Sequence, residues 1–272
     1  MLNYIKTGSG THQIIFIHGN SQSAECWLEV TSLSLLANYT CIALDLPGCG
    51  KSFRSETPEQ DYTIKRLSKH IKDFLQDFEN NPYIIVACSL GANLIGEISD
   101  ELINCKGVML LSPSIIGFNL SVADIIKPNP NLEAMFIEKP TDEQLNLLVN
   151  EFGDNLTPNH KDYIKTTFNV ADPKLRTVMA ASIGTGDFSD ELQKLQNSNL
   201  PVAVIFGADD ELCFTDYIDK TPLTQWHNKT ILIPNSGHLV MLDQPNELIK
   251  IVNEFAEDCF KLLKIVIQAH FL

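Results

Sequence analysis

Residues 83–98 read YIIVACSLGANLIGEI. An apolar run with β-branched residues passes without a linker into Cys88-Ser89-Leu90-Gly91 and then into a stretch with helical spacing. A serine at that junction is either an ordinary turn residue or a nucleophile held up by the turn. A strand-to-helix turn tight enough to present its side chain forces an unfavourable backbone conformation on it. It also brings strand and helix so close that the residues two positions either side must be small. Ala87 and Gly91 are both small.

Outward from this stretch the first half of the chain alternates short apolar runs with longer amphipathic ones. Strands are predicted at 13–17, 40–44, 83–87 and 107–111, with helices at 24–36, 64–78 and 90–102. Alternation of this kind implies a parallel sheet covered by helices on both faces. From 114 to 200 the pattern is helical and punctuated by KPNPN, EKPTDEQ, GDNLTPNH and ADPKL, each supplying a proline or a capping residue. Strands return at 201–206 and 230–233, and a closing helix is expected at 245–259. The organisation predicted is an α/β core in residues 1–114, a helical cap insert in 115–200, and the rest of the core in 201–272. In a sheet of this kind ligands meet the protein at the carboxyl ends of the strands, which is where Ser89 sits.

Composition narrows the class. The chain has 272 residues, is 44% hydrophobic, and carries 20 Lys and Arg against 34 Asp and Glu, a formal net charge of −14. That balance argues against a nucleic-acid surface or a polybasic membrane patch, both of which need clustered cations. A chain of this size builds its core without a cofactor or disulfide. The seven cysteines at 26, 41, 49, 88, 105, 213 and 259 are odd in number, scattered and without a C-x-x-C pair. They read as reduced thiols rather than a disulfide framework or a zinc site, so no metal is expected. The first residues have no charged n-region followed by an apolar h-region, and the reading is of a cytoplasmic protein. The tail KLLKIVIQAHFL, residues 261–272, is too short to span a membrane and carries Lys261 and Lys264. Its apolar surface is expected to pack on the body or to form a contact in a homodimer; monomer and homodimer both stay open.

Ala87-Cys88-Ser89-Leu90-Gly91 resembles the nucleophile elbow G-x-S-x-G of the α/β-hydrolase family, with alanine in the first glycine position. Other segments strengthen the resemblance. IIFIHGNSQS (14–23) is similar to the family's His-Gly loop, and ALDLPGCGKS (43–52) to its D-x-P-G-x-G-x-S turn. IFGADDELCF (205–214) and IPNSGHLVMLDQPNEL (233–248) resemble its acid and histidine segments. The order Ser89, Asp210, His238 is the one this fold uses. The resemblance implies a mostly parallel sheet, a capped serine hydrolase, and acyl transfer through a Ser-His-Asp triad on a small-molecule acyl substrate, with no cofactor.

The roles follow from that resemblance. A serine hydroxyl attacks a carbonyl only if a base takes its proton, and His238 is expected to be that base. The family spacing from Gly207 selects Asp210 over Asp209 as the carboxylate orienting the imidazole. Backbone N–H groups of Leu90 and Asn20 are expected to form the oxyanion hole, with the side-chain amide of Asn20 an open alternative. His18 is expected to be structural. Cys88, although a thiol, should point away from the site because side chains alternate along a strand. Met135, Phe136, Phe152, Phe168 and Met179 are candidates for an apolar pocket or for the cap's own core. Ester or thioester hydrolysis is favoured, with carbon–carbon bond hydrolysis, transfer to another acceptor, or a ligand receptor with little turnover as alternatives.

Overall fold

The computed structural model describes residues 1–117 and 119–270, and their side chains as far as Lys261. Strands β1 (Tyr4–Thr7), β2 (Gln13–Ile17), β3 (Thr40–Leu44), β4 (Tyr83–Cys88), β5 (Cys105–Leu111), β6 (Val202–Gly207) and β7 (Ile231–Ile233) form one sheet. Their order is β1-β3-β2-β4-β5-β6-β7. Every pairing is parallel except β1 with β3. The central strands β2, β3, β4 and β6 are buried at every residue, as strands covered on both faces must be. This is the α/β-hydrolase arrangement the sequence implied, with a helical cap inserted between β5 and β6.

Three predicted helices are interrupted or shorter than expected. Residues 24–36 form a 3₁₀ turn, Ala24–Trp27, one α-turn, Leu28–Thr31, and a second 3₁₀ turn, Ser34–Leu36. The helix after β4 runs only Leu90–Gly96 and the one before it Ile64–Leu75. The closing helix is longer, Pro245–His270. Apart from Lys261, which donates to Glu257, the side chains of the apolar tail lie outside the described residues, and so does its expected contact. Among the described residues no helix is long and apolar enough to cross a membrane.

Register places the site. Ile17 pairs with Ala87, Cys88 with Leu111, Leu111 with Ile205, and Gly207 with Ile233, so the carboxyl ends of β2, β4, β5, β6 and β7 finish close to one level. The loops carrying Asn20, Ser89, Asp210 and His238 all leave from that edge.

The cap is built from helices Asp142–Glu151, Pro158–Val170 and Pro173–Gly184 with shorter turns between. Thr141, Thr157 and Asp172 each cap one of them by accepting a backbone N–H. The cap is fastened to the core through buried polar contacts. Tyr62 donates to the Asp172 carboxylate at 2.9 Å, and the Tyr163 hydroxyl lies 3.0 Å from that of Ser23. Arg176 is buried; it donates to the carbonyls of Ile137, Glu138 and Phe168 and to the Ser21 hydroxyl.

Candidate active site

Ser89 has φ +50° and ψ −122°, a conformation that costs a non-glycine residue on the order of 1–3 kcal/mol and persists where the surroundings enforce it. The enforcement is visible. Its N–H donates to Leu111 of the neighbouring strand at 2.9 Å, and its carbonyl accepts from Ala92 at 2.8 Å. Gly91 lies so near β2 that a Cβ there would come within 2.7 Å of the His18 carbonyl. That close approach is why the position two after the serine must be glycine. The turn leaves Ser89 half-buried at the wall of a cavity. Cys88 is fully buried and is not among the residues lining that cavity.

Asp210 and His238 are brought together by the loops after β6 and β7. Gly207 has no room for a side chain, since a Cβ would sit 2.1 Å from the Gly237 carbonyl, and this contact lets the two loops pack. His238 Nδ1 is 2.9 Å from Asp210 Oδ2, and both residues are buried. Asp210 Oδ1 accepts from the N–H groups of Leu212, at 2.8 Å, and Cys213, at 3.1 Å. Burial opposes ionisation of Asp210, but the histidine and these two amides outweigh it and hold the carboxyl below its ordinary range. A carboxylate only accepts, so Nδ1 carries the proton in this bond, and the neutral tautomer compatible with it has its lone pair on Nε2. Nε2 is buried with no partner among the described residues. Asp209 is exposed and donates only its backbone N–H, to Ser236. Phe152 lies nearly parallel to the imidazole, ring centres 6.0 Å apart, and its carbonyl accepts the His238 N–H at 2.8 Å.

Ser89, Leu90, Asn20 and His238 line one cavity of about 730 Å³, within the range of small-molecule sites. Neither the Leu90 nor the Asn20 N–H is given to an acceptor among the described residues. The Asn20 side chain is committed elsewhere: Nδ2 donates to the cap's Met135 carbonyl at 2.9 Å and Oδ1 accepts from Ser21 at 3.0 Å. The backbone N–H is unspent, and Nδ2 keeps a second N–H beside the one given to Met135. His18 is tied into the backbone: Nε2 accepts from Leu46, Nδ1 donates to the Gly19 carbonyl, and burial pushes the ring's pKa below its ordinary value.

Asp210, Cys213 and His238 bring three donor atoms within 4.8 Å of one another. The arrangement does not suit a cation. Asp210 spends both oxygens on N–H donors, His238 Nδ1 bears a proton, and burial drives the Cys213 thiol well above its ordinary value.

Of the apolar candidates, Met135, Phe136 and Met179 line the cavity, together with Ile125 and Leu132. Phe168 does not; the Arg176 guanidinium packs 4.4 Å from its ring centre inside the cap. Glu191 lines the cavity and was not foreseen. In SDELQKL it looks like an acidic residue of a solvated first helical turn, and only the tertiary fold lays it against Asn93.

Burial pushes the Glu191 carboxyl well above its ordinary value of 4.5, with Glu97 and Asp190 adding to the effect against hydrogen bonds from Ile116 and Asn93. The folded state thus keeps a proton that the unfolded chain releases. The stability this contributes is complete below about pH 4.5 and is lost as pH rises toward the folded value. Glu191→Gln removes the titration. Its melting temperature relative to the wild type should rise as pH climbs from the ordinary value of 4.5 toward the raised folded value, measured by thermal melts in matched ionic strength. A gap independent of pH would contradict a neutral Glu191.

A model of the alpha/beta hydrolase family matches residues 14–251. The chain belongs to the alpha/beta hydrolase family. It is similar to the dihydrolipoyllysine-residue acetyltransferase component of the acetoin cleaving system of Cupriavidus necator, 23% identical over 263 residues. That match covers 90% of this chain and 64% of that protein, so the chain spans less than two thirds of that relative's length. Similarity to monoacylglycerol lipase ABHD6 of Bos taurus is 20% over 265 residues, 89% of this chain and 74% of that one. Among solved structures, the N-acyl homoserine lactonase AidH complexed with N-butanoyl homoserine superposes with a TM-score of 0.85. It is 22% identical and the match covers 95% of this chain and 93% of that one, a likeness of alpha/beta hydrolase fold.

Proposed function

We propose that this alpha/beta hydrolase cleaves carboxylic ester-type bonds in small molecules through an acyl-enzyme on Ser89. The observation that carries the reading is the His238–Asp210 pair, whose Nε2 is buried with no partner among the described residues, lining the same cavity as a serine held at φ +50°. In this reading Ser89 Oγ attacks the substrate carbonyl carbon while His238 Nε2 takes its proton. Asp210 holds the tautomer and offsets the imidazolium charge. The oxyanion accepts from the N–H groups of Leu90 and Asn20, each worth about 3 kcal/mol in the transition state. His238 then returns the proton to the leaving alkoxide. Water attacks the acyl-enzyme with the same base, releasing the acid and restoring Ser89.

The names of the lipase and the lactonase fit an acyl-bearing small molecule, and the apolar cavity fits its hydrocarbon portion. The acetyltransferase relative draws attention to transfer onto an acceptor other than water. Intact-mass detection of the acyl-enzyme over a panel of esters and thioesters of graded acyl length tests the proposal. Partition of the trapped acyl group between water and added thiols or alcohols separates hydrolysis from transfer. No mass increment with any member of the panel would count against an acyl-enzyme.

The cap residues divide into lining and support, and their variants should divide likewise. Met179→Ala enlarges the cavity and should move the preferred acyl length upward, with acetate ester turnover within about threefold of wild type. Phe168→Ala, buried beneath Arg176, should instead destabilise the protein by roughly 3–5 kcal/mol without changing relative preferences. Chain-length profiles and denaturant melts of the two variants check this; equal loss on every substrate for Met179→Ala would remove the cap from selectivity.

A further inference from the structure

We propose that Glu191 is a specificity-determining residue of the cavity: a neutral carboxyl that donates a hydrogen bond from Oε1 to an oxygen on the substrate, a few bonds from the carbonyl attacked by Ser89. The proposal rests on the acyl-enzyme reading above.

Glu191 is completely buried and borders the cavity. Its two oxygens are treated differently. Oε2 accepts from the Asn93 side-chain amide at 2.8 Å and from the Ile116 N–H at 2.9 Å. Oε1 is buried with no partner among the described residues. The neighbouring groups cannot supply one. Asn93 Nδ2 already donates a second time, to the Ser114 carbonyl at 2.7 Å, while Asn93 Oδ1 accepts from Ser114 Oγ at 2.7 Å.

The oxygen that takes two donors is the carbonyl-type oxygen of a protonated acid, which leaves the O–H on Oε1. The charged groups acting on the carboxyl are Glu97 and Asp190, both acidic, so its surroundings favour the neutral form. The Asn93–Ser114–Ile116 framework thereby fixes the orientation of a donor and leaves that donor without an acceptor from the protein.

Position decides what it reads. Asn93 follows Ser89 by four residues on the helix that begins at Leu90, an advance of about 6 Å along its axis. Asn93 and Ser89 both line the cavity, and the Glu191 carboxyl hangs from Asn93. Ser89 and Glu191 line the same cavity, so in this proposal a ligand whose carbonyl sits at Ser89 extends toward Glu191. A ketone or ether oxygen there satisfies the O–H, whereas a methylene leaves it unpaired. Sites built to hydrogen-bond a substrate oxygen discriminate strongly against the analogue lacking it.

The test compares a hexanoyl ester with its keto analogues, the ketone moved one carbon at a time along the acyl chain and then into the alcohol portion. Wild-type kcat/KM should be at least about tenfold higher for one keto position than for the plain ester. Glu191→Gln, whose amide still accepts at one atom and donates at the other, should keep that preference within about threefold. Glu191→Leu and Glu191→Met should abolish it, read as the ratio of keto to plain ester kcat/KM within each variant, so that a general loss of rate cancels.

Absence of any keto preference in the wild type overturns the proposal whatever the variants do. So does a uniform loss on all substrates in every variant, which makes Glu191 a fastener only. Loss of the preference in Glu191→Gln, whose amide can still donate, overturns the hydrogen-bond donor and leaves the preference to shape alone. If no ester is turned over at all, the acyl-enzyme reading has failed separately. Calorimetric affinity for the plain and keto hexanoyl esters, in wild type and Glu191→Leu, then decides the Glu191 contact on the same criteria.

Discussion

Ser89→Ala should lower kcat on any ester the protein turns over by about 10⁴-fold or more, with little change in KM where chemistry is slow. The expectation depends on Ser89 being the group that forms the covalent bond. Removing it leaves only binding and the oxyanion donors, and those still act, so a small residual rate over water is expected. Alanine keeps the strained φ of +50°, so the melting temperature should stay near that of the wild type. A fluorophosphonate should label wild-type Ser89, read by peptide mass spectrometry, and should leave the variant unlabelled. An adduct on Cys88 would reassign the nucleophile. That outcome conflicts with a thiol that is fully buried and whose ionisation burial suppresses.

Asp210→Asn should lower kcat by on the order of 10⁴-fold, and Asp209→Asn by less than about tenfold. The two carboxylates are adjacent in sequence and opposite in circumstance. Asp210 is buried, bonded to His238, and kept ionised by two backbone amides. Asparagine there can present its NH₂ or its carbonyl to the ring. In either case the charge that favours the imidazolium is gone, and one of the two orientations selects the wrong tautomer. Asp209 is exposed, so its influence at the ring is a screened, long-range one. Both variants are to be assayed at saturating ester, with melts to confirm folding. The reverse ranking would move the acid to Asp209; two mild effects would place it on another strand.

Much of this was legible in the chain because the strands that carry the site are buried on both faces and announce themselves as apolar runs. Edge strand β1 did not, since Tyr4–Thr7 alternates exposed with half-buried residues and shows no such run. The helix after the serine ends at Gly96, where a Cβ would lie 2.8 Å from the Glu191 Cβ. The close approach at Gly96 comes from Glu191, almost a hundred positions away, and no local pattern reports it. The resemblance, through the family's spacing from Gly207, favoured Asp210 over Asp209, and the structure brings the Asp210 carboxylate to His238. Phe168 and Met179 have the same apolar character at helical spacing; which faces the cavity depends on where Arg176 is buried, a tertiary matter. Glu191 was invisible for the same reason, a solvated-looking acid whose burial is created by Asn93 and Ile116.

The contacts that fasten the cap carry an implication for how such a protein can be redesigned. Arg176 and the Met135 carbonyl reach from the cap to Ser21 and Asn20, and these two residues shape the very loop whose N–H faces Ser89's cavity. Pocket and strand-end loops are consequently not separable modules. A transplanted cap would have to deliver a guanidinium and a carbonyl to the same two points, or the loop beneath it would lose its shape along with its old selectivity. New specificity is better sought by changing side chains that face inward from a retained cap, leaving that bridgework in place.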